Sequence, residues 1–98
     1  MDNKSLIKKF EDEVEQADWS MLKPHFERDA IWLIEDSLNL FETAVAIATD
    51  DVNKIKKWKD TKKIRELFPE EIAEWDNGPF KKIVNFIILT PFVIIQKI

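Results

Sequence analysis

The chain alternates between helix-like and strand-like patterns of hydrophobic residues. Over residues 6–17, apolar side chains recur every three or four positions and charged residues fill the others, which predicts an amphipathic helix. Asp18 then caps a short second helix, from Trp19 to Lys23, that ends near Pro24. The apolar face of the first helix consists of Leu6, Ile7, Phe10, Val14 and Ala17.

The middle of the chain combines one strand-like run with two helix-like patterns. Residues 30–34 are apolar and rich in strand formers, so they predict a buried strand. Asn39 and Glu42 have the spacing of a capping box and open a helix that is apolar nearly all round. Residues 49–51 end this helix and cap a third amphipathic helix. Residues 59–68 are predicted to form a loop. The inner face of that helix carries Val52, Ile55 and Trp58.

The most apolar stretch, residues 83–98, resembles a membrane span only superficially. It is shorter than the ~20 residues that a helix needs to cross a bilayer. Thr90 and Pro91 interrupt it, and its β-branched residues favour strands. We therefore expect either one kinked strand or two strands split at Thr90-Pro91, with residues 30–34 as their partner.

These elements predict an α+β fold in one domain, residues 1–98. Four to five short helices, the last beginning at Pro69, pack on a two- or three-stranded sheet. The sheet is built from the strand near 30–34 and the C-terminal strands within 84–96. A hydrophobic content of 45% supports a packed core.

The amino-acid composition excludes several kinds of functional site but identifies none. The 98 residues include one glycine, one histidine and no cysteine, so a disulfide framework and a cysteine or multi-histidine metal site are excluded. No apolar run of signal-peptide length follows the N-terminus. We expect a cytoplasmic protein that has no cofactor, does not insert in a membrane and is not an enzyme.

Four polar residues are candidates for chemistry, and each also has a structural explanation. His25 has the residue type of a general base, with acidic neighbours in sequence, but no nucleophile or second ligand accompanies it. Arg28 is suited to binding a carboxylate or phosphate, or to pairing with an acid of this chain. Asp50 and Asp51 suggest either a divalent cation or a helix cap. The prediction for all four is a structural polar corner.

The strongest positive signal is a basic segment within residues 51–65. Residues 1–51 carry a net charge of −8, whereas residues 52–98 carry +4. Seven of the twelve residues from Lys54 to Arg65 are cationic. We predict that this segment and an exposed strand tryptophan bind a partner protein. The proposed contact residues are Trp32, Lys54, Lys56, Lys57, Lys63 and Arg65.

Two functions remain open for this basic segment. The first is a non-catalytic protein-interaction or regulatory module. The second is a small nucleic-acid-binding regulator, because the helices on either side of residues 49–51 resemble a helix-turn-helix. The acidic net charge of −4 disfavours nucleic acid. A long apolar C-terminal strand in so small a chain also suggests a homodimer formed by pairing of that strand with its copy.

Four segments together resemble a known family. They are Trp19…Leu22…His25…Arg28-Asp29-Ala30, Leu38-Asn39-Leu40, Val45-Ala46-Ile47-Ala48…Asp50-Asp51…Trp58, and Pro91-Phe92-Val93-Ile94-Ile95-Gln96. Their order resembles a small bacterial family of cyanobacteria and proteobacteria, domain of unknown function 2288, over residues 15–97.

Two residues depart from the pattern of that family. Asn39 stands where Asp is usual, and Lys97 stands where an acid is usual. Asn caps a helix about as well as Asp, so the first departure changes little. The second removes the carboxylate from that position. The resemblance implies no activity and no site residues, and a cyanobacterial source fits the many lysines and isoleucines.

Overall fold

The computed structural model describes residues 3–78 and 82–98 and contains five helices and five strands within them. In chain order the elements are α1 (Asn3–Glu13), β1 (Glu15–Asp18), α2 (Trp19–Glu27), β2 (Ile31–Ile34), α3 (Leu40–Ala48), α4 (Val52–Asp60), β3 (Ile64–Arg65), α5 (Pro69–Asn77), β4 (Ile83–Leu89) and β5 (Phe92–Lys97).

Short polar side chains determine where the helices begin. The side chains of Asp18, Asn39 and Asp51 each accept hydrogen bonds from backbone N–H groups in the first turns of α2, α3 and α4. Helix α5 begins with Pro69, which has no N–H to leave unpaired. The Glu71 carboxylate accepts a hydrogen bond from the backbone N–H of Phe68 at 2.9 Å.

Three helices end in a left-handed residue that is not glycine. Asp29, Asp50 and Lys62 follow α2, α3 and α4 with φ of 55°, 57° and 63°. In each case the N–H of the next residue bonds a carbonyl of the last helical turn, which is the Schellman arrangement. The chain's one glycine, Gly78, has φ of −69° and serves no such turn.

The five strands form one mixed sheet in the order β1-β4-β5-β2-β3. Strand β5 pairs in parallel with β2, and the other neighbours are antiparallel. The C-terminal run is two strands joined at Thr90-Pro91, where the peptide bond is cis. The prediction of a two- or three-stranded sheet is wrong. Short edge strands, β1 and β3, extend it to five.

The sheet has helices on both faces. Successive side chains of a strand point to opposite faces, and in the central strands both sets are apolar and need cover. Val93 and Ile95 of β5 point towards α2 and α5, whereas Ile94 points towards α1, α3 and α4. Each direction leads into its own apolar core cluster. This α-β-α layering explains why β2 and β5 read as continuous apolar runs, since neither face of the central strands meets water.

The inner position of β5 bears on how two copies can meet. Over Val93–Ile95 its backbone pairs with β4 on one side and β2 on the other. That segment therefore has no free edge for a strand of a second chain. In the sheet as described, the free edges belong to β1 and β3.

Candidate functional site

The outer side of α4 is a basic surface. The side chains of Lys54, Lys56 and Lys57 are exposed, and we call these three residues the lysine face. None of them forms an ion pair with a carboxylate in the described part of the chain. The half-buried Lys63 lies just beyond the helix, where its carbonyl accepts the Glu35 N–H at 2.9 Å.

Beside the lysine face lies an apolar depression of about 270 Å³, which we call the Trp32 groove. It is lined by Trp32, Ile55, Ile64 and Phe92, with Val52 at its rim. Val52 is 63% exposed and Phe92 40% exposed, so apolar surface meets water here. Trp32 is half-buried rather than free, because α4 covers this face of the sheet. Its ring is also covered in part by Lys59, whose Nζ lies 4.4 Å from the ring centroid.

Arg65, predicted as a partner-binding residue, lies inside the molecule in an ionic network. Its guanidinium donates two hydrogen bonds to the Glu71 carboxylate, at 2.7 and 3.1 Å, and one to Glu35 at 2.6 Å. Lys97 Nζ also reaches Glu71, at 2.8 Å. The bond from Arg65 is the main reason why the pKa of Glu71 falls to about 2. The network fastens α5 to the sheet, and its cations are occupied.

His25 and Arg28 adjoin a second cavity, of about 430 Å³, at the end of α2. An Arg28 N–H donates to His25 Nδ1 at 3.1 Å. Because a guanidinium only donates, His25 Nδ1 is the acceptor of this hydrogen bond. Arg28 does not pair with Asp50 or Asp51, which lie on the other face of the sheet.

Asp50 and Asp51 have different tasks in the turn between α3 and α4. Asp50 holds the left-handed position that ends α3, and Asp51 caps α4 by accepting the Lys54 N–H at 3.3 Å. Both carboxylates therefore stand at the N-terminus of α4. That helix lies on a sheet and presents acids at the end where a recognition helix meets nucleic acid.

Sequence reasoning overlooked several side chains that organise the fold around these surfaces. Gln96 donates to the carbonyls of Glu35 and Leu38, at 3.2 and 2.9 Å, and so holds the loop before α3. Trp19 Nε1–H donates to Asp76 at 2.8 Å, and this bond is the main cause of the lowered pKa of Asp76. Neither polar contact has a local signature, since each joins residues at least 57 positions apart.

Two kinds of feature are absent from the described residues. No group of three or more histidine, cysteine or acidic side chains is arranged to hold a metal ion within 3–78 and 82–98. No helix in those ranges has the length and apolar character needed to span a membrane.

Comparison with known proteins identifies the family. The profile of the family described as "Protein of unknown function (DUF2288)" matches residues 5–97. The chain belongs to this family. A solved structure with a similar fold is the NMR solution structure of PA1075 from Pseudomonas aeruginosa, which is 26% identical to this chain. The match covers 95% of this chain and 84% of that one, with a TM-score of 0.76. No curated protein matches the chain. The predicted DUF2288 membership is confirmed, and it brings no assigned activity.

Proposed function

We propose that this DUF2288 protein is a non-catalytic interaction module that binds an acidic surface of a partner protein through the lysine face. The observation that carries the proposal is the exposure of Lys54, Lys56 and Lys57 on one helix without an ionic partner among the described residues. Unpaired cations on a rigid helix favour association with a complementary surface and speed the encounter.

The proposal extends to features that accompany such a role. The module acts in the cytoplasm, needs no cofactor and belongs to a family spread over cyanobacteria and proteobacteria. We do not include Arg65 and Trp32 in the proposed contact with the partner. Arg65 is held in the Glu71 network, and Trp32 is half-buried under α4. Lys63 remains at its margin.

The experiment is capture from a bacterial lysate by the tagged protein, quantified by mass spectrometry. The triple variant K54E/K56E/K57E reverses the lysine face. We expect it to lose at least about 90% of the specific partner signal, because complementary charges become like charges. The matched control is K4E/K8E/K9E, which makes the same charge change on exposed lysines of α1. Equal capture by both variants would refute the lysine face as the binding surface.

Nuclease treatment of the lysate separates the two functions that the basic segment suggested. Capture that survives nuclease supports a protein partner. Capture that disappears with nuclease, and that weakens steeply with salt, indicates the nucleic-acid function instead. The aspartates at the start of α4 favour the first result.

A further inference from the structure

Phe68 breaks a local rule of helix design. It occupies the N-cap of α5, where Ser, Thr, Asp or Asn is preferred, and its side chain makes no capping bond. It is also 50% exposed, although it is a large aromatic residue. The guanidinium of Arg65 lies 4.0 Å from its ring centroid and holds the ring in place. A residue that provides no capping hydrogen bond and exposes a fixed aromatic ring to water is typical of a contact site.

The surroundings of Phe68 are acidic. Glu66 and Glu70 flank it in sequence, and both side chains are exposed. Neither belongs to an ion pair within the described ranges, unlike the neighbouring Glu71. This segment thus presents one aromatic ring between two free carboxylates.

The Trp32 groove differs from this segment in being mainly apolar and in having lysines nearby. Its lining is apolar apart from Asp50 and Lys59, and exposed Val52 and Phe92 border it. Lys59 projects over the groove, and exposed Lys62 follows in the turn that leads into β3. The groove therefore suits an aromatic side chain that is accompanied by carboxylates.

Both features adjoin the same edge of the sheet. Ile64 of the edge strand β3 lines the groove, and Phe68 follows four residues later on the side of α5. The groove lies on the α4 face, whereas α5 covers the other face. A twofold axis in the plane of the sheet, along the β3 edge, exchanges the two faces. It thus brings the α5 side of one copy to the α4 side of the other.

We propose that a second copy of this chain docks here, with Phe68 of each copy entering the Trp32 groove of the other. Glu66 and Glu70 then face Lys59 and Lys62 across the contact. The contact forms twice around the axis and uses none of the lysine face. A homodimer of this kind requires no backbone edge of β5.

The first test measures self-association by sedimentation equilibrium from low micromolar to millimolar concentration. We expect the wild-type protein to dimerise and Phe68→Ser to weaken dimerisation at least about tenfold, since it removes the aromatic anchor. Serine is a preferred N-cap residue, so α5 is retained. Met21→Ser is the matched control, because Met21 is 70% exposed on α2 and does not line the Trp32 groove. A monomeric wild type, or a dimer that Phe68→Ser leaves unchanged, overturns the proposal.

The second test exchanges the charges. E66K/E70K and K59E/K62E each place like charges across both contacts, so each variant alone should be monomeric. Mixed in equal amounts, they restore opposite charges at both contacts and should form a 1:1 heterodimer. Failure of the mixture to associate, while each variant keeps its circular dichroism spectrum, overturns the pairing. Binding of a foreign partner through the lysine face is unaffected by either result.

Discussion

Replacing Lys62 with glycine should stabilise the protein, because this lysine occupies a conformation that suits glycine. Lys62 has φ of 63° at the end of α4, where its N–H bonds the Lys59 carbonyl at 3.1 Å. The N–H of Lys63 completes the motif by bonding the Trp58 carbonyl at 2.8 Å. The side chain is exposed and makes no described ion pair, so little else is lost.

The size of the gain follows from two opposing terms. A side chain in the left-handed region costs roughly 1–2 kcal/mol, which glycine avoids. Glycine loses more conformational freedom on folding than lysine does, and this offsets about 0.4–1 kcal/mol of the gain. We expect a net gain of about 0.5–1 kcal/mol, or a Tm increase of about 2–6 °C for a domain of this size. Asp29→Gly and Asp50→Gly should gain less, because aspartate tolerates this region better.

The assay is urea unfolding followed by circular dichroism at low protein concentration, where self-association is negligible. The control is Lys56→Gly, which removes the same exposed charge from the interior of α4 and should cost about 0.5–1 kcal/mol. The two lysine-to-glycine changes should therefore differ in sign. If Lys62→Gly destabilises the protein as much as Lys56→Gly does, the left-handed position contributes no strain and the reasoning fails.

Two further predictions concern the contacts that fasten the sheet to its neighbours. The pKa of Glu71 is lowered from 4.5 to about 2, so its network stabilises the fold fully above about pH 4.5 and loses this contribution as pH falls through 2. The free-energy difference between wild type and Glu71→Gln should shrink by about 2–3 kcal/mol over that window in acid titrations, and a constant difference would contradict this. Gln96→Leu should destabilise by about 1–3 kcal/mol in urea unfolding, since two carbonyls lose their donor. Gln16→Leu on the exposed edge should change little, and equal effects would mean that water replaces the Gln96 amide.

Several elements follow from local pattern, and the structure shows why others do not. The strand near 30–34 and the division at Thr90-Pro91 have strong signals, because buried central strands need continuous apolar residues. Strand β1 was predicted as the end of the first helix, since an edge strand with one buried residue, Ala17, carries almost no period. Strand β3 has two residues and lies in a segment that was predicted as a loop.

Pro24 misled the prediction for α2. The helix continues to Glu27, past the expected end near the proline. Pro24 removes the N–H that would bond the Ser20 carbonyl, but both residues are exposed, so water is available to that carbonyl. Tertiary packing of Trp19, Leu22 and Phe26 against the sheet outweighs the lost bond.

The candidate surfaces were predictable only where exposure follows from helix geometry. The lysine face follows from the inward placement of Ile55 and Trp58, which leaves its lysines outside. The role of Arg65 was not predictable, because its partners Glu35 and Glu71 come together only when β3 joins the sheet. Trp32 was predicted to be exposed to solvent, on the assumption that helices cover only one face of the sheet.

The position of β5 also has a consequence for the order in which the protein is made. Without this strand, the sheet consists of two separate pairs, β1–β4 and β2–β3. β2 emerges from the ribosome some 60 residues before β5, its parallel partner. The two pairs cannot join until β5 has left the exit tunnel, so nascent chains carry uncovered apolar edges from the emergence of β2 until that of β5. A chain interrupted anywhere before Phe92 is consequently a substrate for chaperones or proteases rather than a smaller folded domain.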